Sequence, residues 1–145
     1  MEIILAENHG FCYGVKRAVE MANEAADSDG KSYTLGPIIH NPQVVGRLES
    51  KGVSPIQEVS DIDEGTMIIR SHGVGPAIYE EAEEKGLNIL DATCPHVKKA
   101  QQDAKSVIED GMTLVILGEK NHPEVKSINL WANNKEIIIE LSLIH

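Results

Sequence analysis

Short runs of apolar, mostly β-branched residues alternate with helical patterns along this 145-residue chain. This alternation constrains the fold most, because a strand, a crossover helix and a second strand in one sheet form a parallel βαβ unit. Short, continuously apolar runs are typical of strands buried on both faces. The predicted strands are Ile3–Leu5, Tyr33–Leu35, Met67–Ile69, Ile89–Leu90, Leu114–Leu117 and Ile137–Ile139.

The predicted helices carry start and stop signals. Four of them begin with proline, which is tolerated best at the first helical position. Glycine follows four of the first five helical runs, where a left-handed C-terminal residue is favoured. The segment Val53–Gly65 interrupts the alternation and is predicted to be a loop with a short strand. The predicted helices are Val15–Ala26, Pro42–Lys51, Pro76–Lys85, Pro95–Glu109 and Pro123–Trp131. The chain is therefore predicted to have an α/β fold of repeated βαβ units with a parallel sheet.

Composition excludes several classes of function. The formal net charge is −10 and no Lys/Arg cluster is present, which argues against a nucleic-acid partner. No run approaches the roughly 18 apolar residues of a membrane helix. The opening MEIILAE lacks the pattern of a secretory signal. We expect a cytoplasmic protein whose two cysteines are thiols or metal ligands rather than a disulfide.

Five reactive residues lie where predicted strands end and helices begin. In an open α/β sheet, the loops that leave the carboxyl ends of the strands share one edge. We therefore expect these side chains to converge, although they are far apart in the sequence. They are Cys12 in GFCYGV, His40 in GPIIHNP, His72 in RSHGVGP, Cys94 in DATCP and His122 in NHPEV.

Helix starts favour anions, because their N–H groups are free and the helix dipole is positive there. Cys12 and Cys94 should thus have their thiolate forms favoured, and the three histidines would lie near the same edge. The pattern predicts a pocket for an anion beside soft ligands.

Taken singly, a buried cysteine is usually a small hydrophobic residue, and Glu124 could be an ordinary first-turn carboxylate. No CxxC or HxxxH spacing indicates zinc.

Five ordered motifs together resemble one enzyme family. They are GFCYGVKRAV, LGPIIHNPQVV, IIRSHGVGP, LDATCPHVKK and GEKNHPEVKSI. They resemble 4-hydroxy-3-methylbut-2-enyl diphosphate reductase, the iron–sulfur enzyme that ends the methylerythritol phosphate route to isoprenoids. The resemblance runs from Met1 to about Ile139. It implies three similar α/β domains, of which residues 1–94 would form the first and residues 95–145 an incomplete second.

The resemblance also implies roles for the reactive residues. Cys12 and Cys94 would be two of three thiolates that hold a 4Fe–4S cluster, and the third cysteine is absent from these 145 residues. The three histidines would contact the diphosphate of a small allylic substrate, and Glu124 would deliver protons. Iron–sulfur clusters bind thiolates, and the open iron can act as a Lewis acid. A ferredoxin- or flavodoxin-type donor would supply two electrons, giving isopentenyl and dimethylallyl diphosphate and water.

The sequence also departs from the family. Members run to about twice this length, and the tail Leu141–His145 differs from the acidic continuation expected there, so we expect a truncated form that is inactive alone. The portion Val97–Ile139 should expose apolar sheet surface. Two alternatives are a non-catalytic remnant domain and a binding module. The module would use Cys12, Cys94 and histidines for zinc, or would share a 2Fe–2S cluster between two chains.

Overall fold

The computed structural model of the protein describes residues 2–7 and 9–140. A 3-10 turn at Val59–Asp61 lies between the second and third strands. The five helices are α1 (Tyr13–Ala26), α2 (Pro42–Ser50), α3 (Pro76–Glu84), α4 (Pro95–Glu109) and α5 (Pro123–Trp131). The six strands are β1 (Ser32–Leu35), β2 (Val53–Ile56), β3 (Thr66–Ile69), β4 (Asn88–Asp91), β5 (Val115–Leu117) and β6 (Ile137–Ile139).

Four strands form one parallel sheet in the order β2-β1-β3-β4. Its central strand β3 is buried on both faces, because successive side chains point to opposite sides of a sheet. Ile68 packs with Ala18 and Ala22 of α1 on one face. Met67 and Ile69 pack on the other face, in a cluster that includes residues of α3. The α/β fold with a parallel sheet is confirmed.

The second sheet contains only β5 and β6, which pair in parallel. Its apolar side chains were predicted to be buried, but Val115, Leu117, Ile137 and Ile139 are 46–65% exposed. An apolar strand is buried only where other elements cover it, and the helices of the described residues leave these positions uncovered. The expectation of exposed apolar sheet surface in this portion is confirmed, and the prediction of buried strands is wrong here.

The predicted strand Ile3–Leu5 is also wrong. Residues 2–7 form no strand, and the three apolar side chains are 75–83% exposed. An apolar run favours a strand only when a neighbouring strand accepts its hydrogen bonds, and this segment pairs with neither sheet of the described residues.

The remaining predictions for single elements hold to within a residue or two. Val53–Gly65 contains the short strand β2, as predicted, and also the 3-10 turn, which was not predicted. Gly86 and Gly111 follow α3 and α4 with φ of +69° and +72°, the left-handed conformation expected after a helix. The tail Leu141–His145 lies outside the described residues. No helix of the described part is both long and apolar enough to cross a membrane.

Candidate functional site

Hydrogen bonds join the loops at the carboxyl edge of the four-stranded sheet. The Ser71 backbone N–H and hydroxyl both donate to the carbonyl oxygen of Ile38, at 3.4 and 3.3 Å. The Cys94 N–H donates to the Ser71 carbonyl oxygen at 2.9 Å. The pairing of β1, β3 and β4 thus continues beyond the strands. It fixes side by side the loops that carry His40, His72 and Cys94.

Helix α5 attaches to the middle loop through side chains. The Ser127 hydroxyl lies 2.8 Å from the His72 carbonyl oxygen and 2.9 Å from that of Glu124, so its one proton is shared between them. The same hydroxyl accepts from Gln101 Nε2 at 3.2 Å. Trp131 Nε1 donates to the Val74 carbonyl oxygen at 2.9 Å. These contacts, which we call the α5 clamp, bring the start of α5 against the loop after β3.

The clamp places His122 beside the two histidines of the first sheet. Ring centroids are 4.5 Å apart for His40 and His72, 6.0 Å for His40 and His122, and 5.7 Å for His72 and His122. One nitrogen from each ring lies within 4.8 Å of the others. We call these three residues the histidine trio. The structure brings together three residues that the sequence predicted to converge.

Burial and nearby positive charge disfavour protonation of His72. Burial is the larger cause, charge on His40, Arg70 and His122 adds to it, and together they lower the pKa of His72 to about 4. His72 is therefore neutral at pH 7 while the space between the rings holds no anion. A negative group there would favour the protonated rings and reverse the electrostatic effect. The trio is suited to a multiply charged anion.

The cysteines occupy two helix starts that lie together. Cys12 is the N-cap of α1 and Cys94 the N-cap of α4, and both are free thiols. Arg17 of α1 donates to the carbonyl oxygens of Thr93 at 3.2 Å and Asp91 at 3.4 Å. At Gly14, a Cβ atom would fall 2.4 Å from Cys94 Sγ, so glycine permits the close approach of α1.

Asp91 organises the turn that leads to Cys94. Its carboxylate accepts from the Thr93 N–H at 3.0 Å, from the Tyr79 hydroxyl at 3.1 Å and from Lys98 Nζ. Burial would raise the pKa of Asp91, but the hydrogen bonds from Lys98 and Thr93 outweigh it and the pKa is lowered. Burial and the Asp91 charge raise the pKa of Tyr79 to about 12. Asp91 is therefore an ionised anchor for this turn at neutral pH.

Glu124 lies in the first turn of α5, half-buried. Its backbone N–H donates to His122 Nδ1 at 3.3 Å. Its carboxylate and both cysteines lie outside the cluster formed by the trio in the described residues. The structure thus links Glu124 to the site through the His122 ring, and its predicted role in proton delivery stays a prediction.

The trio fits an anion better than a metal ion. One nitrogen from each ring lies within 4.8 Å of the others, close enough for one ion to contact all three, so the preference rests on the hydrogen bonds of the rings. His122 Nδ1 accepts a hydrogen bond, so the neutral ring carries its proton on Nε2. Histidines that bind metals usually donate from their second nitrogen, yet His72 Nδ1 is buried and lacks a partner within the described chain.

Sequence reasoning missed the residues that assemble the site: Gln101, Ser127, Trp131 and Arg17. One of them left a signal in the sequence. Gln101 shares the buried stripe of α4 with Val97 and Ala104 and is only 1% exposed. A polar side chain within such an apolar stripe indicates a buried hydrogen-bond partner.

Comparison with known proteins shows the family of the chain. The profile of the family described as LytB protein matches residues 3–144. The chain belongs to this family. A 4-hydroxy-3-methylbut-2-enyl diphosphate reductase of Geotalea uraniireducens is 53% identical over 139 residues, which cover 96% of this chain and 49% of that protein. The same enzyme of Geobacter metallireducens is 52% identical with the same coverage.

Solved structures give the same result. A structure of (E)-4-hydroxy-3-methyl-but-2-enyl diphosphate reductase, the terminal enzyme of the non-mevalonate pathway, superposes with a TM-score of 0.82 at 49% identity. The match covers 96% of this chain and 51% of the other. The E-1-hydroxy-2-methyl-but-2-enyl-4-diphosphate reductase of Plasmodium falciparum gives 0.87 at 32% identity, covering 92% and 42%. The chain spans about half the length of these relatives.

Proposed function

We propose that this chain supplies part of the active site of a 4-hydroxy-3-methylbut-2-enyl diphosphate reductase. The histidine trio is the observation that carries the proposal. In this proposal the trio binds the diphosphate of the allylic substrate. Residues 1–94 would form the first α/β domain and residues 95–145 the opening part of a second. Catalysis would take place in a protein about twice as long, as the length of the relatives indicates.

The chemistry of the trio supports diphosphate as the ligand. A diphosphate presents several oxygens over a distance that three rings at 4.5–6.0 Å can span. Each ring nitrogen that carries a proton can donate a charge-assisted hydrogen bond. Since His72 is neutral without an anion, binding would draw protons from solvent near neutral pH. Affinity is therefore expected to rise as the pH falls towards 6.

The two cysteines fit part of an iron–sulfur site. Their helix starts are adjacent, and Gly14 leaves the approach to Cys94 Sγ open. Free thiols at positive helix ends are suitable ligands for a 4Fe–4S cluster, which would need a third ligand from outside these residues. When bound, the cluster would supply electrons and a Lewis-acid iron for removal of the allylic hydroxyl as water. The Glu124 carboxyl group would then supply a proton, a role that rests on the family resemblance. A ferredoxin- or flavodoxin-type electron donor and a cytoplasmic location belong to the same proposal and rest on the family resemblance.

One observation favours a second candidate, a non-catalytic remnant domain. The exposed apolar side chains of β5 and β6 are those of a sheet that lacks cover in the described residues. A remnant would keep the fold and the trio without turnover. Both candidates predict the same binding by the trio. They differ in turnover: a protein as long as the relatives would be active under the first candidate and inactive under the second.

Pyrophosphate binding tests the proposal with the chain as it is. Isothermal titration at pH 6.5 should show binding that His40→Ala and His122→Ala each weaken about tenfold or more, the scale of a lost hydrogen bond to a charged group. Heats measured in buffers of different ionisation enthalpy should reveal proton uptake. His96→Ala, an exposed position on α4 outside the trio, should bind normally. Unchanged affinity in both trio variants would remove the basis of the proposal.

A further inference from the structure

A second cavity, of about 330 Å³, lies between the first sheet and α5. It is bounded by Gly36 after β1, Arg70 after β3, Gly75 before α3, and Lys126 and Leu130 on α5. None of the trio histidines and neither cysteine lines it. Its volume is within the range of small-molecule sites.

The charged side chains that line this cavity are positive, whereas the chain as a whole is negatively charged. The chain has 23 acidic and 13 basic residues. Among the residues that the structure describes, Arg70 and Lys126 are the only charged ones that line the cavity. Neither takes part in any of the ion pairs found among the described residues. Two cations thus face one space without an acidic partner.

Arg70 is held in a position that suits an incoming oxyanion. Its side chain is half-buried, and Nε has no hydrogen-bond partner in the described part of the chain. Gly36 has a φ of +71°, and a Cβ there would lie 3.0 Å from Arg70 Nη1. The glycine therefore lets the guanidinium lie close to the backbone. An unpaired, partly desolvated guanidinium is unfavourable by itself, and its planar donor fork matches carboxylate and phosphate oxygens.

The rest of the wall is mainly apolar. Leu35 and Val74 are each 7% exposed, and Ile78 and Leu130 also line the cavity. Gln57 and Ser127 add uncharged polar groups. Such a wall contributes to binding when it removes apolar ligand surface from water. A bare inorganic anion would leave this surface unused.

We propose that this cavity binds a small amphiphilic oxyanion, a carboxylate or phosphate group carried on a short apolar chain. Arg70 and Lys126 bind the charged head group, and the leucine, valine and isoleucine side chains contact the apolar chain of the ligand. The site goes beyond the proposed function, because no trio histidine lines it.

The test uses the His40→Ala/His122→Ala double variant, so that the trio does not contribute to the signal. Acetate, butanoate and hexanoate are titrated and followed by isothermal titration and by amide chemical shifts. Orthophosphate and hexyl phosphate form a second arm, which decides between carboxylate and phosphate head groups. Affinity should rise about three- to fourfold for each methylene that is buried. Equal affinity along the series, or no binding at millimolar ligand, would overturn the proposal.

Charge variants locate the ligand. Arg70→Gln should weaken hexanoate or hexyl phosphate binding about tenfold or more, while Arg47→Gln, an equal charge change at an exposed position of α2, should not. Lys126→Gln should weaken it less, with Lys105→Gln on α4 as its control. Lys126 is exposed, so this pair remains informative if Arg70→Gln does not fold. Retained affinity in a folded Arg70→Gln variant, or equal effects of the matched pairs, would place the ligand elsewhere.

Discussion

The two sheets of this chain contain similar apolar strands, but the side chains are buried in the first sheet and exposed in the second. The strand β3 in the four-stranded sheet reads Thr-Met-Ile-Ile, and its last three side chains are fully buried. The strand β6 in the two-stranded sheet reads Ile-Ile-Ile, and its first and last side chains are exposed. Composition is therefore not what separates them. The first sheet has helices on both faces, and the second leaves the face of Ile137 and Ile139 uncovered within the described residues.

The largest expected effect tests this contrast directly. Ile68→Ala, in the covered sheet, should lower the free energy of unfolding by about 2–5 kcal/mol, because the cavity it leaves is enclosed. Ile137→Ala, in the uncovered sheet, should cost less than about 1 kcal/mol. Urea unfolding followed by circular dichroism measures both. Equal losses at the two positions would mean that β6 is buried in solution and that the contrast does not exist.

A smaller effect is expected where the two halves meet. Ser127→Ala should cost about 1–3 kcal/mol, because it leaves Gln101 Nε2 and the His72 carbonyl oxygen without their partner. Trp131 is the only tryptophan, and its indole bonds to Val74, so its fluorescence reports on the α5 clamp. In this variant the fluorescence transition should precede the transition seen by circular dichroism.

The control for the clamp is Ser106→Ala, at an exposed position of α4. It should leave the two transitions coincident. If Ser127→Ala also left them coincident with no loss of stability, the two halves would be joined by something other than the clamp.

The smallest effect concerns pH. The pKa of His72 is about 4, against an ordinary value of 6.5. Between these values the unfolded chain binds a proton that the folded chain does not, so stability falls as the pH is lowered from 6.5 to 4. After discounting for solvent screening of a half-exposed ring, the loss should stay below about 2 kcal/mol. Melting temperatures at pH 7.5 and 5 should differ less in His72→Gln than in the unmodified chain.

His96→Gln serves as the reference for this measurement, because His96 is exposed and lies outside the trio. Its melting temperatures should show the same pH dependence as those of the unmodified chain. An identical dependence in His72→Gln would mean that the His72 ring is not restrained from protonation in the folded protein.

Local signals in the sequence were enough for most of the fold. Proline at the first position placed the starts of four helices, and the alternation of elements predicted the parallel sheet that the structure has. The prediction failed for an apolar run that had no neighbouring strand to pair with. Ile3–Leu5 is as apolar as β3, but strand formation depends on a neighbour that the run itself does not encode.

The site residues likewise fall into those that the sequence predicted and those that it could not predict. Topology predicted that His40, His72 and His122 would lie close together on the assumption of one sheet edge, which holds for His40 and His72. His122 follows β5 of the second sheet and is brought to them by the α5 clamp. Topology could not predict Ser127 or Arg70, whose importance depends on which carbonyl or cavity lies opposite in three dimensions. Gln101 was the exception, because a polar residue in a buried helical stripe is visible in the sequence.

The α5 clamp joins positions that are 55 residues apart in the sequence, Ser127 and His72. Domains form from the amino terminus onwards while a chain is being synthesised. The four-stranded sheet ends at Asp91, so it can be complete before His122 has left the ribosome. The trio then assembles only when α5 docks, so a nascent chain cannot bind the diphosphate proposed for this site before its second half has begun to fold.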